Sequence, residues 1–345
     1  MAVQKTSLYD TGAHVDVEAE YRAANEDVAI HDSSHTGRVK ATGADVLDLL
    51  HRISSNDVGS LQPGQGAPTV LITDKGRVLD LVTVLNTCGH ILLLTSPQAQ
   101  DTVIQWIDGY TIVDDIALED VTSTTAMFSV LGPQAATVLG RAAGLKVEFF
   151  QPYQSTQATI VGMECYVVRR DLAGLPRFEV LMSGEHAEAI WQELVGAGAV
   201  PLGLEASEVL RVEAGSPAYG RELDEAYNPL ETGLWGSISF TKGCYIGQEV
   251  VARLDTYQKV QRHLVSLGFS HGTPVRDGVK LALDGREVGN VTSMVRMPPT
   301  GRTIGMGYVR NEASEPGTRL SLDGDNEVWA EVEATILPFG PGEGT

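Results

Sequence analysis

Residues 242–249 carry the side chains best suited to chemistry in this chain. They read Lys-Gly-Cys-Tyr-Ile-Gly-Gln-Glu, so Cys244 follows Lys242 by two residues and is flanked by Gly243 and Gly247. A thiol reacts as its thiolate, and an ordinary cysteine has a pKa near ~8.5. Lys242 and the positive end of a helix predicted to begin near Gly247 would favour that anion, while the glycines permit close approach of a ligand. We therefore predict Cys244 and Lys242 as catalytic residues, although an isolated cysteine is often simply buried in a core.

Amphipathic helices that follow short strands are predicted along the first 200 residues. Apolar residues recur at i, i+3, i+4 and i+7, which is typical of one helix face, in three segments: 46–53, 135–142 and 187–194. A fourth segment, 91–107, matches this pattern only in part. Strand-like runs precede these helices, so the pattern predicts an α+β fold with helices packed on mostly antiparallel sheets.

The pattern changes near residue 263 and predicts a small β domain. Six strand-like runs are separated by Gly, Pro, Asn and Asp turns: 264–269, 279–283, 288–297, 303–309, 319–322 and 328–337. Asp284-Gly285 is a strong hairpin signal. We therefore predict an α+β region over residues 1–260 and a β-barrel domain over residues 261–345.

Composition excludes several classes of function. The formal charge is −20 and only seven residues are lysine, which disfavours binding to a nucleic-acid backbone. Such an acid-rich surface is typical of salt-adapted proteins, or simply of an acidic cytoplasmic one. The longest apolar runs are too short to span a bilayer, so we expect a cytoplasmic protein without a membrane partner.

The cysteines and histidines do not predict a metal site. The three cysteines lie far apart, without a Cys-x-x-Cys pair, and the histidines are equally scattered. Cys88 and Cys165 stand in apolar, strand-like surroundings, and we expect both in the core.

The octet and its flanking motifs resemble the YgfZ-type folate-binding proteins, relatives of the glycine cleavage T-protein (aminomethyltransferase) in the GcvT superfamily. The similarity runs through almost the whole chain, and the octet is its most specific part. The other matching segments are 32–37, 55–57, 61–66, 76–80, 131–133, 211–213 and 228–234. The resemblance implies GcvT-like folate-binding α+β domains around a central channel, with two interleaved subdomains in residues 1–260, followed by a C-terminal β-barrel.

The resemblance also implies a tetrahydrofolate site. Glu179 matches the glutamate that binds the folate pterin, whose edge presents two adjacent N–H donors to a carboxylate. From the residues alone, an exposed acid on an alternating strand is the simpler interpretation. Arg170 is a candidate for the anionic glutamate tail, as are Arg169, Arg211 and Arg253. Asn56 is expected to line the channel or to serve a turn, and Gly243 and Tyr245 are expected at the cofactor within the octet.

Departures from the T-protein pattern decide between the YgfZ branch and the T-protein branch of the superfamily. T-proteins carry two aspartates where this chain has Asp80-Leu81, and Leu81 matches the catalytic one. Asp80 is no substitute, because neighbouring strand residues point to opposite faces. A positioned acid of this kind is typically worth ~10²–10⁴ in rate. These differences argue against aminomethyltransferase activity.

Three hypotheses for function follow from the sequence. The first is a tetrahydrofolate-binding protein that assists iron–sulfur cluster assembly or repair through Cys244, with iron–sulfur proteins as clients. The second is a folate-dependent aminomethyltransferase or demethylase, in which Asp57 or Asp80 replaces the missing acid. The third is a protein that keeps the fold without the ligand and serves as an interaction scaffold.

Overall fold

The computed structural model describes residues 16–257, 260–276, 278–323 and 325–336. Within these ranges the chain forms seven α-helices. They are α1 (Val17–Glu26), α2 (Val46–Ile53), α3 (Gln100–Tyr110), α4 (Ala135–Ala143), α5 (Ala187–Gly196), α6 (Leu204–Glu213) and α7 (Gln248–Thr256). None of these helices is long and apolar enough to cross a membrane.

The same part of the chain forms seventeen β-strands, named here in chain order. They are β1 (Ala29–Asp32), β2 (Gly37–Thr42), β3 (Gly66–Ile72), β4 (Val78–Asn86), β5 (Ile91–Thr95), β6 (Ala117–Asp120), β7 (Thr125–Leu131), β8 (Ser155–Ile160), β9 (Met163–Arg169), β10 (Arg177–Ser183), β11 (Val200–Pro201), β12 (Arg262–Phe269), β13 (Lys280–Leu283), β14 (Arg286–Arg296), β15 (Thr303–Arg310), β16 (Arg319–Leu322) and β17 (Asp325–Thr335).

The chain divides into two compact units, and it passes between them several times. The first unit comprises Met1–His51, Val58–Pro68 and Val82–Ser207. The second comprises Arg52–Asp57, Thr69–Leu81 and Glu208–Thr345. The boundary expected near residue 260 stays a prediction, although the first strand of the C-terminal barrel begins at Arg262.

A six-stranded sheet in the order β11-β1-β7-β10-β9-β8 forms the centre of the first unit. Its strands pair antiparallel except for β1 and β11, which are parallel. Helices α4 and α5 cover one face with the apolar stripes that the sequence predicted, including Leu139 and Trp191. Phe128 meets Trp191 there edge-on, with ring centroids 5.1 Å apart. This packing leaves the other face of the sheet available for different contacts.

The other face packs against a second sheet, ordered β3-β4-β5-β2-β6. An apolar cluster joins the two sheets inside the first unit; its buried members are Leu85, Leu92, Leu94, Met127, Val168 and Leu181. Residues 91–95 of this sheet belong to the segment that matched a helix only in part. They form a buried strand, and after the break at Pro97 the helix α3, which buries Val103 and Ile107, begins at Gln100.

A closed barrel in the order β12-β15-β14-β13-β16-β17 lies in the second unit. All six predicted strands are present, although residue 337 of the last one lies outside the described residues. Asp284 and Gly285 adopt φ values of +51° and +77°, as a tight two-residue hairpin between β13 and β14 requires. The α+β fold with a C-terminal barrel is therefore confirmed.

The expectation for one cysteine is wrong. Cys165 is buried on β9, and burial raises its pKa to about 11. Cys88 is exposed instead, because it lies in the turn between β4 and β5 rather than on either strand. The prediction was wrong because the apolar residues near Cys88 in the sequence belong to the strands, whereas Cys88 itself belongs to the turn.

Candidate functional site

Strand register brings three polar side chains into one row in the first unit. Glu179 on β10 is the direct partner of Ser129 on β7, and Ser129 is the direct partner of His31 on β1. Direct cross-strand partners point to the same face of a sheet. Glu179 is only 1% exposed, so the row contains a carboxylate removed from water.

Hydrogen bonds fix one oxygen of the Glu179 carboxylate. Ser129 Oγ donates to Glu179 Oε2 over 2.6 Å. Ser33 Oγ lies 2.6 Å from Ser129 Oγ, and since the Ser129 proton points to the carboxylate, Ser33 must donate to Ser129. The two serines therefore orient the carboxylate from behind.

Two arginines neutralise the charge on the other oxygen. Arg170 Nη1 lies 3.4 Å from Glu179 Oε1, and Arg177 Nε lies 3.2 Å from the same oxygen. The Arg177 Nε–H itself donates to the backbone carbonyl of Arg170 over 2.8 Å. A buried carboxylate needs such partners, because an uncompensated charge in a protein interior is strongly destabilising.

This arrangement fits a pterin. A carboxylate offers about four acceptor positions, and Ser129 strongly occupies only one of them. Arg170 Nη1 and Arg177 Nε approach Oε1 without a short hydrogen bond, so acceptor positions remain on the carboxylate for two ligand N–H groups. The free acceptor positions of the carboxylate therefore suit a neutral ring edge with two adjacent N–H groups.

The structure places Arg170 beside the Glu179 carboxylate, and its role at the glutamate tail of folate stays a prediction. Arg169 binds Asp171 through two N–H groups and also donates to the Phe150 carbonyl. In the second unit, Arg211 binds Glu208 and Glu222. Arg169 and Arg211 thus have carboxylate partners within their own units, which corresponds to the ordinary ion-pair role.

Sequence reasoning missed several members of this cluster. His31 Nδ1 lies 2.8 Å from the Leu202 carbonyl, and burial lowers the pKa of His31, which keeps the ring neutral near pH 7. Tyr153 has a φ of +61°, an uncommon backbone conformation for a bulky residue. Burial raises its pKa, and the charges of Arg170 and Arg177 oppose that rise. The strand alternation around Ser129 was the available signal in the sequence.

The octet lies in the second unit, where Cys244 is exposed. As predicted, the helix α7 begins immediately after Gly247. Gly247 has a φ of +76°, and a Cβ atom there would lie 2.5 Å from the Thr73 carbonyl oxygen. Gly243 has no positive φ, and a Cβ atom added to it would have no neighbour within 4 Å, so this residue leaves space beside the thiol. Only one of the two glycines is therefore required by the backbone.

Lys242 binds backbone oxygens. Its Nζ donates to the carbonyl of Ser54 over 2.6 Å and to that of Asn56 over 2.8 Å. Burial lowers its pKa to about 8, and the charge of Asp57 opposes that shift. These hydrogen bonds hold the octet against residues 54–57. The sequence did not predict this structural role.

Tyr245 and Asn56 have local roles in the structure. Tyr245 is 8% exposed and packs in an apolar cluster with Val70 and Ile72, where burial raises its pKa to about 12. The Lys242 Nζ lies 5.0 Å from the centre of its ring. Asn56 Oδ1 accepts from the Asp57 N–H, as expected for a turn residue. That Tyr245, Asn56 and Gly243 contact a cofactor stays a prediction.

The Asp80-Leu81 pair adopts the predicted alternation. Asp80 is fully buried, and its Oδ1 accepts the Leu81 N–H over 2.9 Å. Leu81 points to the other face of β4 and packs against the apolar cluster around Val70. Across the described ranges, no group of three or more His, Cys, Asp and Glu residues could hold a metal ion.

Comparison with known proteins identifies related sequences and related structures. Residues 3–242 match the GCVT N-terminal domain, and residues 262–339 match the glycine cleavage T-protein C-terminal barrel domain. The Arabidopsis thaliana protein named "Putative transferase At1g60990, chloroplastic" is 34% identical over 88% of this chain and 70% of its own length. The aminomethyltransferase of Geobacillus kaustophilus is 30% identical over 94% of this chain and 89% of its own. The crystal structure of the glycine cleavage system aminomethyltransferase T from Bartonella henselae has the same fold, with a TM-score of 0.82, 22% identity, and coverage of 94% of this chain and 89% of that one.

Proposed function

This chain belongs to the glycine cleavage T-protein (GCVT) family, and on that premise we propose that it binds tetrahydrofolate, or a folate derivative, through Glu179. Membership in a family of tetrahydrofolate-dependent proteins supports this cofactor, as the sequence predicted. The observation that carries the proposal is the buried Glu179 carboxylate. Ser129 orients one of its oxygens, and Arg170 and Arg177 lie 3.4 and 3.2 Å from the other.

Glu179 and the residues around it have different roles in binding the pterin. Glu179 accepts the two adjacent N–H groups of the pterin edge, and Ser129 holds the carboxylate plane in place. Arg170 and Arg177 keep the negative charge compensated before the ligand arrives. When bound, tetrahydrofolate supplies a carrier for a one-carbon unit.

Calorimetric titration with tetrahydrofolate tests the proposal. We expect Glu179→Gln to weaken binding by about 10–100-fold, since a hydrogen bond to a charged group contributes ~1.5–3 kcal/mol. Glu148→Gln changes an exposed acid of the same unit and serves as the control. Equal affinities for wild type and Glu179→Gln would rule out this carboxylate as the pterin site.

For the use of the folate, the octet supports assistance to iron–sulfur cluster assembly or repair, as in YgfZ-type proteins. Cys244 is exposed and lies just before the positive end of α7, which suits transient thiolate contact with a cluster on a client protein. Leu81 and the fully buried Asp80 leave no evident acid for one-carbon transfer at β4.

Two exposed cysteines give this proposal a matched test. In cells that lack the wild-type protein, we expect Cys244→Ser to lose the support of iron–sulfur enzyme activity and Cys88→Ser to retain it. Both thiols are exposed, so a general effect of thiol loss would impair both variants. Full activity with Cys244→Ser would refute the role of this cysteine.

The second candidate is a folate-dependent aminomethyltransferase or demethylase. The names of the relatives support this candidate more directly than the first, because they are aminomethyltransferases or a transferase. In this case Asp57, which is exposed, is a candidate for the missing acid. Purified protein incubated with a lipoyl-carrier aminomethyl donor and tetrahydrofolate decides the matter: methylene-tetrahydrofolate formation selects the transferase, and its absence selects the first candidate.

A further inference from the structure

A pocket lies inside the first unit, away from the Glu179 cluster. Its volume is about 350 Å³, within the range that holds small ligands. The apolar part of its wall includes Leu92, Val121 and Leu181. Gln157 and Glu164 are exposed lining residues, so the pocket opens to solvent between them. The pocket can therefore be reached by a molecule with an apolar body.

Cations dominate the charged part of the wall. Arg38 and Lys40 line the pocket, with Glu164 as the single carboxylate among the lining residues; Glu119, which does not line it, lies 4.0 Å from Lys40 Nζ. The whole chain has 45 acidic residues against 25 basic ones, so this excess of positive charge runs opposite to the protein as a whole. A local reversal of charge favours an anionic ligand.

The charge of Arg38 is held by neutral oxygens. Its side chain is 1% exposed, and its N–H groups donate to hydroxyl and carbonyl oxygens, among them those of Thr125, Thr36 and Thr122. Burial lowers the pKa of Arg38 to about 10, against the charges of Asp120 and Asp32, which leaves it positive at neutral pH. An anion in the adjacent pocket would compensate this buried charge.

Two histidines add hydrogen-bonding capacity. His186 Nδ1 is buried and has no hydrogen-bond partner among the described residues. Buried polar atoms of this kind are normally satisfied, so an unpaired one beside a cavity is available for a hydrogen bond with a molecule there. Burial and the charge of Lys40 lower the pKa of His90, which remains neutral and can donate or accept.

The pocket and the Glu179 row lie at different positions along the same strand. Leu181 and Ser183, which line the pocket, stand two and four residues beyond Glu179 on β10, and Glu179 does not line it. The apolar cluster between the sheets extends from Val168, the direct partner of Glu179, to Leu181 and Leu92 at the pocket wall. A packed apolar layer thus separates the two places.

We propose that this pocket binds a small molecule that joins an apolar body to an anionic group, such as a carboxylate or sulfonate, independently of tetrahydrofolate. Arg38 and Lys40 provide the attraction for the anion, His186 provides a hydrogen bond, and the leucines receive the apolar body.

Fluorescence titration with 8-anilinonaphthalene-1-sulfonate, an apolar anion of suitable size, tests this site in the full chain. We expect saturable binding by wild type and about fivefold weaker binding by Lys40→Gln. Gln157→Trp, which fills the mouth from an exposed position, is expected to reduce binding at least about tenfold. Lys146→Gln removes an exposed lysine outside the pocket and should bind as wild type does.

A second titration separates this proposal from the folate site. Glu179→Gln should bind the fluorescent probe normally, and tetrahydrofolate should not displace it from wild type. Displacement by tetrahydrofolate, or equal probe binding by wild type, Lys40→Gln and Gln157→Trp, would overturn the proposal. Far-ultraviolet circular dichroism tests whether each variant is folded. If Gln157→Trp is not folded, the comparison of probe affinity between Lys40→Gln and Lys146→Gln decides the question.

Discussion

At the scale of single residues, the Glu179 carboxylate depends on the side chains that orient it. Ser129 contacts it directly, whereas Ser33 acts only through Ser129. Glu179 itself could be predicted, because it matches a known motif. Its serine and histidine neighbours could not, since local patterns indicate the alternation of each strand but not which strands become neighbours across 50 to 150 residues of chain.

Ser129→Ala should weaken tetrahydrofolate binding by about fivefold and lower the free energy of unfolding by ~1–3 kcal/mol, because a buried carboxylate loses a hydrogen bond. Calorimetric titration and urea unfolding measure the two effects. Ser33→Ala leaves the direct bond in place and should have the smaller effect on binding. A larger effect from Ser33→Ala would contradict the assigned direction of the hydrogen bonds.

Lys242 gives a pH-dependent prediction. Its pKa falls from 10.5 to about 8 on folding, so between these values the unfolded chain binds more protons than the folded protein. Stability must then rise with pH in this window as the cost of burying the ammonium disappears. We expect the unfolding free energy of wild type, relative to Lys242→Met, to increase from pH 8 to pH 10.

Lys75→Met removes an exposed lysine and is the control for that measurement. Urea unfolding at several pH values should give a constant difference between wild type and Lys75→Met. A constant difference for Lys242→Met as well would show that Lys242 keeps an ordinary pKa in the folded protein.

At the scale of elements, the start of α7 fixes the geometry of the octet. The sequence predicted this start, because a glycine precedes a run of apolar residues with acceptors in the first turn. It did not distinguish the roles of Gly243 and Gly247, since the backbone angle of a glycine depends on its neighbours in space. The Thr73 carbonyl lies against Gly247 and comes from a segment about 170 residues earlier.

The two glycines form a matched pair of variants. Gly247→Ala should lower the free energy of unfolding by about 2–3 kcal/mol, because a positive φ and a blocked Cβ position both oppose a side chain. Gly243→Ala should change it by less than about 0.5 kcal/mol. Chemical unfolding of both variants provides the measurement, and equal losses would contradict the assigned backbone conformations.

At the scale of the whole molecule, charge and the C-terminal barrel were the most predictable features. Six short strands and the Asp284-Gly285 turn were enough to predict the barrel, because three of its six strand pairs join consecutive strands. The division of the first 260 residues into compact units was harder to predict, because the chain enters and leaves each unit several times. Local sequence patterns do not show which distant segments of the chain belong to the same unit.

The net charge of −20 predicts that salt stabilises the protein. Raising potassium chloride from 0.1 M to 1 M screens the repulsion among the acidic residues more than it weakens the fewer ion pairs. We expect the thermal midpoint to rise by at least about 2 °C in calorimetric scans. A fall in the midpoint would show that ion pairs, rather than net repulsion, dominate the electrostatics of the surface.

The central claim is that the Glu179 carboxylate receives the pterin of a folate. A crystal structure of the complex with tetrahydrofolate tests this claim most directly. The claim predicts two pterin nitrogens within about 3.2 Å of the Glu179 carboxylate oxygens, with Ser129 still bound to Oε2. A pterin bound elsewhere, with Glu179 still paired only to its arginines and serine, would contradict it.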